Sequence, residues 1–242
     1  GAALAELELD FLVVDREGVG ASFRAWPDET RLLTPSFASN SFGQTDLNAV
    51  APRTSPAFSL GREHPDGPAY AEYLEGVVEL YEIPVETGVE VVDIERTAPA
   101  VDAATGSPAV DAATTDAPAG PLVADHVVWA AGEFGSPRRD AFTGAAEHGV
   151  HYGDVDSWAG FATEHGASET DENDAADPVL VVGGFESGVN AAVGLVNAGA
   201  SVTLFDSGDP WNYTHPDPSE ALSPFTRERL DAAFETGRLT LE

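Results

Sequence analysis

Apolar and polar positions along this chain fall into short blocks, and the clearest block is PVLVVGGFESGVNAAVGLVNAGASVTLFD, residues 178–206. Val179 to Val182 are a continuous branched run, as expected of a buried parallel strand. Val189, Ala192, Val193 and Val196 then recur at i, i+3, i+4 and i+7, which predicts a helix with one apolar face. Asn197-Ala198-Gly199 stops that helix, with Gly199 suited to a left-handed cap. Ser201 to Phe205 predict the next strand, with Asp206 at its end. The N-terminus shows the back half of the same pattern. Leu4, Leu7 and Ala3 give a partial helical face, Phe11 to Val14 a strand, and Asp15 its terminal acid. The face made by Tyr70, Tyr73, Leu74, Val77, Val78 and Tyr81 predicts a helix over 70–83. Val89 to Ile94 and Leu122 to Ala130 read as strands, the second ending in Ala131-Gly132. Ser223-Pro224 open a last helix in the order cap then N1 proline, and Gly237 closes it before a strand at Leu239 to Leu241.

Between these elements the pattern is broken. Residues 17–69 are rich in Gly, Pro, Ser and Asn and are expected to be irregular. Residues 97–121 repeat PAVDAAT and read as a solvated insertion in a hairpin. EHGASETDENDAADP, 164–178, is an acidic linker. The expected organisation is therefore a first domain over 1–150, a linker over 151–178 and a second domain over 179–242. Both domains read as incomplete. A strand and glycine turn should precede the first helix, and more sheet should follow Leu241.

The glycine turn of the 178–206 unit carries the chemistry. A strand, a tight turn and a helix N-terminus leave backbone N–H groups free to hold a pyrophosphate. The turn reads Gly183-Gly184-Phe185-Glu186-Ser187-Gly188. In G-x-G-x-x-G the glycines would fall at 183, 185 and 188, and position 185 is Phe. Either Gly184 takes the second glycine's role one residue early, or Phe185 covers the site. A tight turn without a ligand is the plain alternative. Asp206 follows Gly188 by 18 positions, near the ~20 at which an acid binds ribose hydroxyls. An acid there favours NADH, whereas an Arg would accommodate the 2′-phosphate of NADPH, and 207–213 hold no Arg.

Composition narrows the setting. The 242 residues carry 42 acids against 11 bases, all Arg, for a net charge of −31. So negative a field disfavours nucleic acid and anionic membranes as partners. It suits a protein working in high salt, where screening shrinks to a few Å, and resembles the cytoplasmic proteins of salt-loving archaea. No apolar run approaches the ~18 residues of a membrane span. There is no Cys, hence no disulfide, thiolate metal site or redox pair, and the six His show no metal-ligand spacing.

Two dinucleotide-type units with a meander strand between them resemble the FAD-dependent, NAD(P)H-using oxidoreductases with two dinucleotide domains, in particular the flavin-containing monooxygenase-like group. VVDREGVGASFRAW, residues 13–26, is similar to the end of that family's FAD unit, and Thr87-Gly88-Val89 to a strand contacting adenine. ADHVVWAAGEFGSP is similar to the Ala-Thr-Gly segment beside the flavin. The resemblance implies an α/β fold of two Rossmann-like units, each of three-layer ββα type. It also implies FAD contacts by Asp15, Arg16, Gly20, Val89 and Gly132, and NAD(P)H contacts by Gly183, Gly184, Glu186, Ser187, Gly188 and Asp206. Asn40 matches an asparagine beside the flavin in monooxygenases, though Asn in a Ser/Gly loop is ordinarily turn chemistry. The implied activity passes hydride from NAD(P)H to FAD and on to oxygen and an organic substrate. Reduction of a small disulfide or quinone, or a non-catalytic dinucleotide-binding remnant, are the alternatives. The partner is a small-molecule substrate, with homo-oligomerisation left open. Lacking the first glycine turn, the chain by itself is expected to hold FAD weakly. Arg24 and Arg31 flank a Trp-Pro turn and either bind a phosphate or a substrate anion, or pair with carboxylates. Trp211 borders the nicotinamide or anchors its loop.

Overall fold

Four branched residues in a row, Val179–Val182, form β6 of the computed structural model, and the strands that follow it build a parallel sheet on one side. The structure describes residues 1–38, 45–96, 110–114, 122–132, 135–165, 178–215, 217 and 219–242. β6 pairs with β7 (Val202–Phe205), Val179 opposite Val202, and β7 pairs with β8 (Leu239–Leu241). The helices α7 (Glu186–Asn197) and α8 (Pro224–Glu235) make the two crossovers. Gly199 (φ 95°) and Gly237 (φ 74°) end these helices in the left-handed region, as the sequence predicts. Ser223 caps α8 by accepting the Thr226 N–H.

The helix α7 is buried more completely than one apolar face requires: every residue from Val189 to Val196 is buried. The cause lies in residues 151–165, the first part of the expected linker. After the short helix α5 (Ala145–His148), they form a 3-10 turn at Tyr152–Asp154 and the helix α6 (Trp158–Glu164). Trp158 and Ala162 pack against α7 in the main core, together with Leu204, Leu230 and Leu239. A Cβ on Gly194 would lie 2.5 Å from the Trp158 ring, so glycine there admits the indole. This half of the segment is therefore folded rather than linking, because it carries the apolar residues that close the second side of α7.

In the N-terminal part, α1 (Ala2–Glu6) leads to β1 (Val13–Asp15), which pairs in parallel with β2 (Val85–Thr87). The region 17–69, expected to be irregular, holds two short helices, α2 (Ala21–Arg24) and α3 (Pro56–Leu60). The helix α4 (Gly67–Leu80) begins three residues before the expected start. Asp66 caps it through the Ala69 N–H, and Pro68 lies in its first turn. Tyr70, Tyr73 and Val77 carry its buried face, as expected.

An antiparallel meander joins β3 (Val91–Arg96), β4 (Val110–Thr114) and β5 (Leu122–Ala124). β4 is the second PAVDAAT copy, so part of the expected insertion is a central strand. The strand expected over 122–130 stops at Ala124, where its pairing with β4 ends. Val128 and Trp129 beyond it are exposed. Among the described residues no helix is long and apolar enough to cross a membrane.

Candidate functional site: a glycine turn at the strand ends

The carboxyl ends of β6, β7 and β8 border a cleft of about 460 Å³, lined by Val182, Gly183, Phe205, Asp206, Ser207 and Glu242. Ligands of open α/β sheets bind at this end of the strands. Gly183 sits at φ 103°, and a Cβ added there would meet nothing within 4 Å, so its backbone is open to an approaching group. Gly188 serves packing. Its added Cβ would fall 1.6 Å from the Gly183 carbonyl oxygen, which brings the first turn of α7 onto the turn below it.

Gly184 has a different environment from Gly183. It is buried, and an added Cβ would lie 2.5 Å from the Trp211 ring. Trp211, not Phe185, covers this glycine; Phe185 points outward and is exposed. The Trp211 loop is fastened by Arg227, which donates to the carbonyls of Trp211 (2.8 Å) and Tyr213 (2.7 Å).

Asp206 spans the turn. One carboxylate oxygen accepts the Gly184 N–H at 2.7 Å, and the other accepts the Gly208 N–H at 2.7 Å. A carboxylate has about four lone-pair sites, so ribose hydroxyls can still be accepted. Glu186 opens α7 and is engaged in structure. Its carboxylate accepts the Ser223 N–H at 2.6 Å and the Thr226 hydroxyl, tying the N-termini of α7 and α8 together. Ser187 is exposed on the first turn of α7, where N–H groups have no intrahelical acceptor.

The N-terminal candidates are spread over several elements. Asp15 ends β1 and accepts the N–H groups of Glu17 (2.8 Å) and Gly18 (2.7 Å) through one oxygen. Arg16 beside it is exposed and pairs with Glu17 at 3.0 Å. The Val89 N–H donates to the Asp15 carbonyl at 3.1 Å, which brings these two positions together. Gly20, at φ 74°, lets α2 approach α4, since its Cβ would lie 2.5 Å from that of Ala71. Gly132 is left-handed at φ 70° and exposed. Asn40 lies outside the described residues. No cluster of metal ligands occurs among those described.

Sequence reasoning missed the polar seam between the N-terminal part and the α6–α7 layer. The Thr30 and Tyr152 hydroxyls are 2.6 Å apart, and each is 3.2 Å from Asn190 Oδ1. Glu29 accepts from the Ser157 hydroxyl (2.9 Å) and from the N–H groups of Trp158 (3.0 Å) and Ala159 (3.1 Å). Burial alone would raise the Glu29 pKa, but these hydrogen bonds outweigh it and hold the carboxyl below its ordinary value. Burial raises the Tyr152 phenol. Asn190 had a visible signal: it interrupts the apolar run of α7.

With this geometry in hand, comparison with known proteins assigns the class. The whole chain, residues 1–242, matches the family model described as pyridine nucleotide-disulphide oxidoreductase. This protein belongs to that family. Its fold is similar to that of the bacillithiol disulfide reductase of Staphylococcus aureus, with a TM-score of 0.67 at 17% identity, covering 100% of this chain and 61% of that one. The same reductase from Bacillus cereus gives 0.66 at 19% identity, with coverages of 100% and 62%. A flavin-containing monooxygenase from Stenotrophomonas maltophilia gives 0.59 at 15% identity, with coverages of 93% and 67%. The chain thus spans about 61% of the length of the reductase it matches. The likeness shows that this chain shares the α/β fold of these proteins.

Proposed function

We propose that this chain is part of a flavoprotein oxidoreductase with two dinucleotide-binding units, and that the cleft at Gly183 and Asp206 binds the pyridine nucleotide. The observation that carries this reading is the open backbone at Gly183 facing the cleft, with Asp206 fixed across the turn. The residues at the cleft suit the ribose and pyrophosphate of a dinucleotide. The first turn of α7 offers N–H groups for the pyrophosphate. Asp206 accepts ribose hydroxyls, and Trp211 borders the turn. Asp206 and Glu242 make the cleft electronegative, which favours NADH over NADPH. For FAD, the second oxygen of Asp15 would accept ribose hydroxyls, and the left-handed Gly132 would allow a close approach. Bound there, FAD would supply the hydride-accepting and electron-passing chemistry.

By family resemblance the onward acceptor is oxygen with a small organic substrate. A second reading, reduction of a small disulfide, is favoured by the two bacillithiol disulfide reductases among the similar folds. The chain has no Cys, so such a disulfide would be reduced without a protein thiol.

The test is titration of the purified chain with NADH, read by quenching of tryptophan fluorescence, followed by NADH oxidation with added FAD. Saturable quenching is expected. Oxidation that consumes oxygen supports the first reading, and oxidation that requires a disulfide supports the second. Absence of NADH binding would overturn both. Saturable binding with no oxidation in a longer, flavin-replete form would leave a dinucleotide-binding remnant.

A further inference from the structure

The loop that follows β7 is stiffened from within and fastened from outside. It carries a 3-10 turn at Pro210–Asn212. Asp209, at φ 51°, accepts the Asn212 amide through both carboxylate oxygens, at 3.0 and 2.9 Å. From the start of α8, Arg227 donates to the carbonyls of Trp211 (2.8 Å) and Tyr213 (2.7 Å). No carboxylate lies within 4.0 Å of Arg227 among the described residues. Acids outnumber bases 42 to 11 in this chain, so a guanidinium given to two carbonyls is spent on geometry. The base on which Arg227 stands is fixed as well. Glu186, the first residue of α7, accepts the Ser223 N–H at 2.6 Å and the Thr226 hydroxyl, which anchors the start of α8 to the glycine turn.

What this fastening positions is the indole. A Cβ on Gly184 would lie 2.5 Å from Cζ3 and 3.1 Å from Cε3 of Trp211, and 2.9 Å from Cβ of Asp206. The six-membered ring and the Asp206 side chain therefore flank one glycine, whose N–H Asp206 accepts at 2.7 Å. Trp211 packs against the main core on one part and remains partly exposed on the rest.

The next step rests on the reading of the cleft as a pyridine-nucleotide site. The acid at the end of the second strand meets the ribose whose 2′ position is a hydroxyl in NADH and a phosphate in NADPH. That is the adenosine ribose. An aromatic plane beside this carboxylate is then beside the adenine, with the nicotinamide across the pyrophosphate from it. We propose that Trp211 forms the adenine wall of the nucleotide site, and that Arg227 is the positioning residue that holds it there. An indole offers a large, flat apolar face, and purine bases stack on such faces.

The experiment compares NADH with ADP-ribose, which keeps the adenosine half and lacks the nicotinamide. Both are titrated by calorimetry into the 242-residue chain, its variants Trp211→Leu, Arg227→Gln and Arg227→Lys, and the double variant Trp211→Leu/Arg227→Gln. Trp211→Leu should weaken both ligands by the same factor, roughly tenfold, as expected for loss of a base–aromatic stack. Arg227→Gln should weaken both comparably. The double variant should bind no worse than Trp211→Leu alone, because Arg227 acts through the indole and the two losses are not additive. Arg227→Lys, which keeps one donor, should recover part of the affinity. ADP-ribose should also change the tryptophan emission of wild type and leave that of Trp211→Leu unchanged. If Arg227→Gln does not fold, Arg227→Lys decides, since its smaller loss should vanish when Trp211 is Leu.

A loss confined to NADH would put Trp211 on the nicotinamide side and overturn the proposal. So would Trp211→Leu binding like wild type, or losses at 211 and 227 that add. Wild type that binds neither ligand would instead overturn the nucleotide reading, and the adenine wall with it.

Discussion

At the scale of single residues, the glycine turn works because its three glycines do three different jobs. Gly183 leaves backbone open, Gly184 makes room for Trp211, and Gly188 lets α7 sit on the turn. The jobs predict different failures. Gly188→Ala places a Cβ 1.6 Å from the Gly183 oxygen, so the helix must lift away. Overpacking of this kind costs typically 1–3 kcal/mol, and a contact so short against backbone belongs at about 3 or above. A urea melt should show that loss, together with loss of NADH binding; a variant as stable as wild type would mean the helix is free to shift. Asp206→Ala removes the carboxylate that a 2′-phosphate would meet. NADH affinity should fall while NADPH affinity rises or holds, which narrows the ratio between them. Parallel titrations of both nucleotides measure it, and an unchanged ratio would show that another group sets the preference.

At the scale of elements, α6 is the piece that local rules could not place. Its Ser157 cap is an ordinary signal, but the segment lies beside an acidic run and reads as a link. What holds it is remote: Glu29, 128 positions away from Ser157, accepts from the cap and from the first N–H groups of the helix. The folded pKa of Glu29 is lowered, so its contribution to stability is fully present above the unfolded value of about 4.5 and is lost as pH falls through the folded value. Glu29→Gln should therefore be less stable than wild type at pH 7, with the gap closing below pH 4.5. Melts of both proteins across that range test the sign, and a gap independent of pH would mean that shape rather than charge holds α6. The sequence was most readable where structure follows from neighbours. The order β6, turn, α7, β7, Asp206, the left-handed Gly199 and Gly237, and the Ser223 cap all follow from spacing, capping and glycine conformation within one unit. β4 was not readable, since alanine-rich VDAAT becomes a strand only because β3 and β5 flank it. The seam of Thr30, Tyr152 and Asn190 joins residues up to 160 positions apart, which no local period encodes.

At the scale of the whole molecule, charge is the dominant fact. A net charge of −31 on 25.2 kDa, with no Lys, leaves a large excess of carboxylates. The few cations are used with economy. Arg139 bridges to Asp154, Arg24 to Glu75 and Arg62 to Asp66, while Arg227 holds the Trp211 loop through carbonyls. Exposed pairs of this sort contribute little each, at about 0–1 kcal/mol, and cannot offset self-repulsion summed over the surface. In dilute buffer the repulsion acts over a Debye length of about 30 Å at 0.01 M, comparable to a domain's width; at 1 M it is cut to about 3 Å. Folding concentrates the charge and unfolding disperses it, so removing salt should favour the unfolded chain. The melting temperature should rise steeply from dilute buffer to molar KCl, with most of the gain at the low-salt end, where the Debye length changes fastest. Choline chloride, which screens with a different cation, should reproduce that initial rise if screening is the cause. A rise seen with KCl but not with choline would point instead to specific potassium binding by the carboxylates. A melting temperature that is flat or falls with either salt would remove screening as the reason for this composition.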